Sequence, residues 1–246
     1  MERLRARASP LDLDIVTVDS PYLTDPEVLG RGKNHLEKDL GYPGGIAATI
    51  GHIRAMKMFL ETEDETCLIV EDDVRFHKNF NQYIQDIDHV IRTTEIDIFM
   101  IGYCSLCAPC YECHGRWSTR NSEIMLYFKT CGVCASKVRH YNSISYYSDE
   151  TEGIGVSNPY VAQGYVIRRS FAKIFVDLFS VDDFYMVSPR FFVTDMTIFD
   201  KNPPVSCRLN VLRVPIIIED MFEQTIASNT NKPNLDGLVN FSDFCM

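Results

Sequence analysis

Cys67-Leu68-Ile69-Val70-Glu71-Asp72-Asp73-Val74-Arg75-Phe76 is the stretch on which the reading of this chain turns. Residues 66–70 form a compact apolar run of strand length, and three acids close it. A run without polar interruptions reads as a buried strand, here with carboxylates at its carboxyl end. On an extended backbone side chains alternate between faces, so Glu71 and Asp73 are expected to point one way and Asp72 the other. Two converging carboxylates are hard oxygen donors suited to Mg²⁺ or Mn²⁺, and in open α/β sheets the ligand crevice lies at this edge. The plain alternative is an acidic loop that solvates a strand end. Mutual repulsion among three adjacent acids favours a cation.

Upstream, Gly44-Gly45 precede residues 46–61, where Ile46, Ile50, Ile53 and Leu60 recur at helical spacing. Residues 13–18 form a short β-branched run that reads as an earlier strand. Downstream, residues 80–91 carry a helical pattern and residues 97–103 a second buried strand. This alternation predicts an α/β fold: one domain over residues 1–246 with a mainly parallel central sheet flanked by helices. Residues 104–158 break the rhythm and read as a cysteine-rich insertion on the loop side of the sheet. The pattern resumes with a strand at 160–167 and a helix at 170–179. A further helix is expected at 191–200, a last strand at 208–218, and a polar tail from 227 onward.

The chain has 246 residues, with 24 Lys and Arg against 34 Asp and Glu, a formal net charge of −10. Its apolar fraction of 46% excludes a disordered chain. The acidic balance argues against nucleic acid as a partner, because nonspecific binding needs Lys and Arg to displace counterions. The start, Met1-Glu2-Arg3-Leu4-Arg5-Ala6-Arg7, is charged and runs into no apolar segment, so no signal peptide is expected. Apolar runs such as 214–218 are far too short for a transmembrane segment. The expectation is a cytoplasmic protein, with a viral or bacterial origin compatible with its size.

In a reducing compartment dense cysteines favour metal over disulfides. Of nine cysteines, six fall at Cys104, Cys107, Cys110, Cys113, Cys131 and Cys134, with His114 beside them. Two Cys-x₂-Cys pairs separated by residues 114–130 fit a zinc-ribbon arrangement. Cys110, Cys113, Cys131 and Cys134 form the standard set. Cys104 and Cys107 are able to replace the first pair, or to build a second site with His114. A closed structural Zn²⁺ stapling the insertion is the expected role, with disulfides the next alternative. The aromatic and polar stretch 139–147 reads as a surface loop rather than as a sugar-stacking platform.

Residues 68–76 resemble the signature of glycosyltransferase family 25, which includes lipopolysaccharide and procollagen galactosyltransferases. Other segments follow in the family's order. Gly44-Gly45-Ile-Ala-Ala-Thr-Ile-Gly51-His52 resembles its Gly-rich helix, with Gly51 where Ser is usual. Residues 97–102 are similar to the next strand, Gln163-Gly164-Tyr165-Val166-Ile167-Arg168 to a later strand, and Val214-Pro215 with Gln224 and Ser228 to the closing segment. The resemblance implies a GT-A-like enzyme that transfers a hexose, galactose or glucose, from a UDP-sugar to a glycan or protein hydroxyl acceptor with inversion.

Carried onto this chain, the resemblance makes Glu71 and Asp73 ligands of Mn²⁺ or Mg²⁺ on the donor diphosphate, and Asp72 a ribose or outer contact. It places Gly45 and His52 in the donor pocket. By itself His52, inside an amphipathic helix, reads as a packed core residue. Inverting transfer needs a base, and two stretches compete for it. Asp195 stands before Phe199-Asp200-Lys201-Asn202-Pro203, which looks like a procollagen-enzyme segment; Asp183 lies in Val181-Asp182-Asp183. Asp195 is preferred and Asp183 is the alternative, while a helix N-cap would explain either. Measured against the family, the first strand is expected to be missing or otherwise supplied. A catalytically impaired GT-A-like adaptor, recruiting partners through the zinc insertion, is therefore the second reading. A nucleotidyltransferase is disfavoured because no basic triphosphate loop is found.

Overall fold

The computed structural model describes residues 2–22, 24–28, 43–102, 138–148, 163–180, 208–212 and 216–219. The longer helices among them are α1 (Glu2–Ala8), α2 (Pro43–Leu60), α3 (Phe80–Thr93) and α4 (Arg169–Ser180), with a 3₁₀ turn at Ser9–Leu11 following α1. The strands are β1 (Thr66–Val70), β2 (Val74–Phe76), β3 (Ile98–Gly102), β4 (Val138–Tyr141), β5 (Ile144–Ser148), β6 (Gly164–Arg168), β7 (Leu209–Leu212) and β8 (Ile217–Glu219). All eight join one sheet, in the order β1-β6-β3-β7-β5-β4, with β8 pairing both β3 and β2.

The sheet is mixed and mostly antiparallel, which corrects the expectation of a mainly parallel one. β1 and β3 do run in the same direction, as a strand-helix-strand unit requires. They are not neighbours, however: β6 lies between them, antiparallel to both. Among the described strands only β3 with β7 and β3 with β8 pair in parallel. The inserted strand comes from far along the chain, so local alternation of elements gave no sign of it.

Three further expectations change. The last strand expected over 208–218 is two, β7 and β8, each pairing with β3. Residues 13–18 form no strand. Leu13 and Ile15 still pack against the core at alternate positions, so the two-residue period reports burial without strand pairing. Residues 139–147, expected as a surface loop, belong to the β4–β5 hairpin, and β5 pairs with β7 in the main sheet. Ile144 and Tyr146 alternate inward. Asn142 turns the hairpin at φ 43°, a conformation that asparagine tolerates.

Val166, Phe99, Ile101, Tyr146 and Leu212 face α1 and α3, forming one core with Phe80, Ile87 and Ile91. Tyr165 points to the other face, where the ring of His52 on α2 meets it. Two adjacent arginines fasten a helix on each face to the end of β6. Arg168 donates to the carbonyls of Ile91, Thr94 and Ile96 at the carboxyl end of α3. Arg169 donates to those of Phe59, Leu60 and Thr62 at the carboxyl end of α2. Carbonyls at a helix carboxyl end run short of helical partners, although that of Phe59 also accepts from the Thr62 amide at 3.1 Å, and a cation there also suits the helix dipole.

Candidate active site at the acidic edge of the sheet

β1 ends at Val70, and Asp72 and Asp73 form a turn into β2. The alternation of an extended strand therefore stops at Glu71 and does not set the relative directions of the three carboxylates. Glu71 is half-buried while Asp72 and Asp73 are exposed. The Glu71 amide donates to the Gln163 carbonyl at 3.1 Å, which extends the β1–β6 ladder one step past the strand. At the exit of the turn, Arg7 on α1 donates to the Val74 carbonyl at 3.0 Å. α1 reaches it because Leu4, Ala8 and Leu11 are seated in the core. A guanidinium thus stands beside a run of three acids.

His52 is 8% exposed and joins this edge. Its Nδ1 lies 2.8 Å from the Tyr165 hydroxyl, and its Nε2 lies 3.8 Å from Glu71 Oε1. Tyr165 is fully buried; that burial, followed by the charges of Cys67 and Glu71, pushes its phenol well above the ordinary tyrosine range. The helix takes its place against the sheet partly through Gly51. A Cβ there would lie 2.2 Å from Ser20 Oγ, so the loop hydroxyl occupies the space of a side chain. Gly102 and Gly164, at the same edge, admit Ile217: a Cβ on either would come within 2.9 or 2.6 Å of its side chain.

Gly45 lies in the first turn of α2, seven residues before His52. At 1.5 Å per residue that turn lies about 10 Å further along the helix. α2 leads into the start of β1, so its amino-terminal end projects toward the acidic edge.

The structure therefore brings Glu71, Asp72, Asp73 and His52 to one edge. Asp183, Asp195 and the cysteines at 104, 107, 110, 113, 131 and 134 lie outside the described residues. Cys67 is described. Burial first, and then Asp64, pushes its thiol up to about 11, which makes it a poor thiolate ligand. Sequence reasoning missed Tyr165, Gln163 and Arg7. Tyr165 had a legible signal, because a tyrosine inside an apolar strand must find a partner for its hydroxyl.

Among the described residues no group of three or more His, Cys, Asp or Glu side chains converges as a cation site. Glu71 and Asp73 offer carboxylate oxygens only. That donor set fits Mg²⁺ or Mn²⁺, which binds through one or two carboxylates and leaves positions for phosphate oxygens.

A mixed sheet with helices on both faces and an acidic turn at the carboxyl end of β1 defines an α/β fold. The family model described as glycosyltransferase family 25 (LPS biosynthesis protein) matches residues 32–186, and the chain belongs to that family. It is accordingly a glycosyltransferase, acting between a sugar donor and an acceptor. The matched span includes the acidic turn, His52, Tyr165 and Asp183 and stops short of Asp195. A comparison with curated proteins found no match. Among the described residues no helix is long and apolar enough to cross a membrane.

Proposed function

We propose that this glycosyltransferase moves a hexose, galactose or glucose, from a UDP-sugar to a hydroxyl acceptor, with inversion and with dependence on Mn²⁺ or Mg²⁺. The supporting observation is the acidic turn itself: Glu71, half-buried and anchored through its amide to Gln163, with exposed Asp72 and Asp73 following. Glu71 and Asp73 would hold the cation. The cation supplies Lewis-acid neutralisation of the departing diphosphate. Asp72 contacts the ribose, and the amino-terminal turn of α2 at Gly45 presents main-chain N–H groups to the diphosphate.

In the transfer the acceptor oxygen bonds to the anomeric carbon as the bond to the UDP oxygen breaks. The acceptor's proton passes to a carboxylate, Asp195 in this proposal, with Asp183 as the alternative. The acceptor is a glycan or a protein hydroxyl. A single GT-A domain would span 1–246 in the cytoplasm, with a structural Zn²⁺ held in the 104–158 insertion by cysteines 110, 113, 131 and 134, or with 104 and 107 in place of the first pair.

Thermal-shift titration with UDP and Mn²⁺ tests the central claim. The parent should gain stability that requires both ligands, and Glu71→Ala and Asp73→Ala should abolish the gain. A parent without a Mn²⁺-dependent shift refutes it. Elemental analysis should find about one zinc per chain; zinc-free protein with oxidised thiols overturns the zinc claim.

A further inference from the structure

We propose that Tyr165 and His52 act as a positioning pair, locking one tautomer of the imidazole so that its Nε2–H orients the Glu71 carboxylate. The relay stands on geometry alone; its consequence for cation binding rests on the reading of Glu71 above.

Tyr165 is entirely enclosed, and His52 Nδ1 at 2.8 Å is the partner of its hydroxyl. Among the described residues the enclosed hydroxyl has no other hydrogen-bond partner, and a buried O–H must donate, so it donates to Nδ1 and Nδ1 accepts. A neutral imidazole that accepts at Nδ1 carries its own proton at Nε2. That nitrogen lies 3.8 Å from Glu71 Oε1, so its N–H is presented to a carboxylate. The gap is slightly beyond a direct hydrogen bond, and a small rotation of the carboxylate or one bridging water closes it.

β6 thereby restrains Glu71 twice. The Gln163 carbonyl holds its amide at 3.1 Å, and two residues on, Tyr165 reaches its side chain through His52. Neither His52 nor Tyr165 needs to touch substrate. Their work is to preset a carboxylate that otherwise samples many rotamers on an exposed edge. A hard cation with strict coordination geometry gains from that presetting.

The test uses the full chain labelled with ¹⁵N and ¹³C. Long-range ¹H–¹⁵N correlation of the His52 ring should show protonated Nε2 and unprotonated Nδ1 in the parent. Tyr165→Phe, which removes one oxygen, should give mixed tautomers and shift the Glu71 carboxyl carbon. Mn²⁺ affinity, read by electron paramagnetic resonance, should fall about tenfold in Tyr165→Phe. His52→Gln keeps an N–H donor and should retain more affinity than His52→Leu, which separates positioning from packing.

A proton on Nδ1 in the parent, or a ring and a Glu71 signal unmoved in Tyr165→Phe, overturns the proposal. Equal Mn²⁺ affinity in the parent, Tyr165→Phe and His52→Leu overturns it as well. A parent that shows the tautomer and the Glu71 response, yet binds no Mn²⁺, supports the relay and refutes the cation reading; the two failures are thus distinguishable.

Discussion

Arg168→Met should cost the fold about 2–4 kcal/mol. Arg168 Nε donates to the Ile96 carbonyl at 3.0 Å, and its Nη2 donates to the carbonyls of Ile91 and Thr94. Hydrogen bonds from a charged donor contribute roughly 1.5–3 kcal/mol each. A cation at a helix carboxyl end adds about 0.3–1 kcal/mol. The three bonds share one guanidinium and are part-buried, so water recovers some of each loss and the total falls well below their sum. Methionine keeps most of the apolar stem, which confines the change to the polar head. Urea denaturation should show a lower midpoint with an unchanged slope, matched by a fall in Tm of about 5–12 °C. Arg168→Lys should recover less than half, because one ammonium cannot fan out to three carbonyls. A loss below about 0.5 kcal/mol for Met, on the low side for one hydrogen bond, would refute the claim that this arginine fastens α3 to β6.

Two other outcomes follow from polar groups on the α3 side of the sheet. Burial alone would raise the Asp86 carboxyl, but the Ser143 and Asn142 side chains, the Ser143 amide and nearby His89 together hold it below its ordinary value. Its contribution to docking the β4–β5 hairpin is therefore present above the unfolded carboxyl value, about 3.9, and is lost as pH falls through the lower folded one. Asp86→Ala should weaken amide protection in residues 144–148 at pH 7 by about 1 kcal/mol, and the difference from the parent should vanish in strong acid; a difference that persists there contradicts the assignment. Asn210 and Ser148 face each other across β5 and β7, buried, and among the described residues Asn210 Oδ1 and Nδ2 and Ser148 Oγ have no hydrogen-bond partner. Asn210→Leu combined with Ser148→Ala should raise Tm by a few degrees, a gain of about 1–2 kcal/mol; a lower Tm would mean that the pair is satisfied by an internal water.

Part of the fold around the candidate site is legible in the sequence. The apolar run 66–70 specifies β1 to the residue, because five uninterrupted apolar or β-branched positions closed by three acids admit few alternatives. The helical periods around His52, Ile87 and Phe175 likewise correspond to α2, α3 and α4. Glu71, Asp72 and His52 were singled out from residue type and motif alone. The relation of His52 to the acids was not readable, because it depends on Tyr165, 113 residues away along the chain.

What the sequence alone determined about this protein is therefore local: that residues 66–70 form a strand, that the segments around His52, Ile87 and Phe175 are helices, and where the acids stand at a strand end. These follow from side-chain period and from the cost of burying charge, both properties of short windows. The tertiary structure alone decided that β6 lies antiparallel between β1 and β3, that residues 138–148 join the sheet, and that Glu71 is held from both main chain and side chain by one distant strand. Strand order is a choice among long-range pairings whose backbone hydrogen bonds are chemically identical, and no single window of sequence distinguishes them.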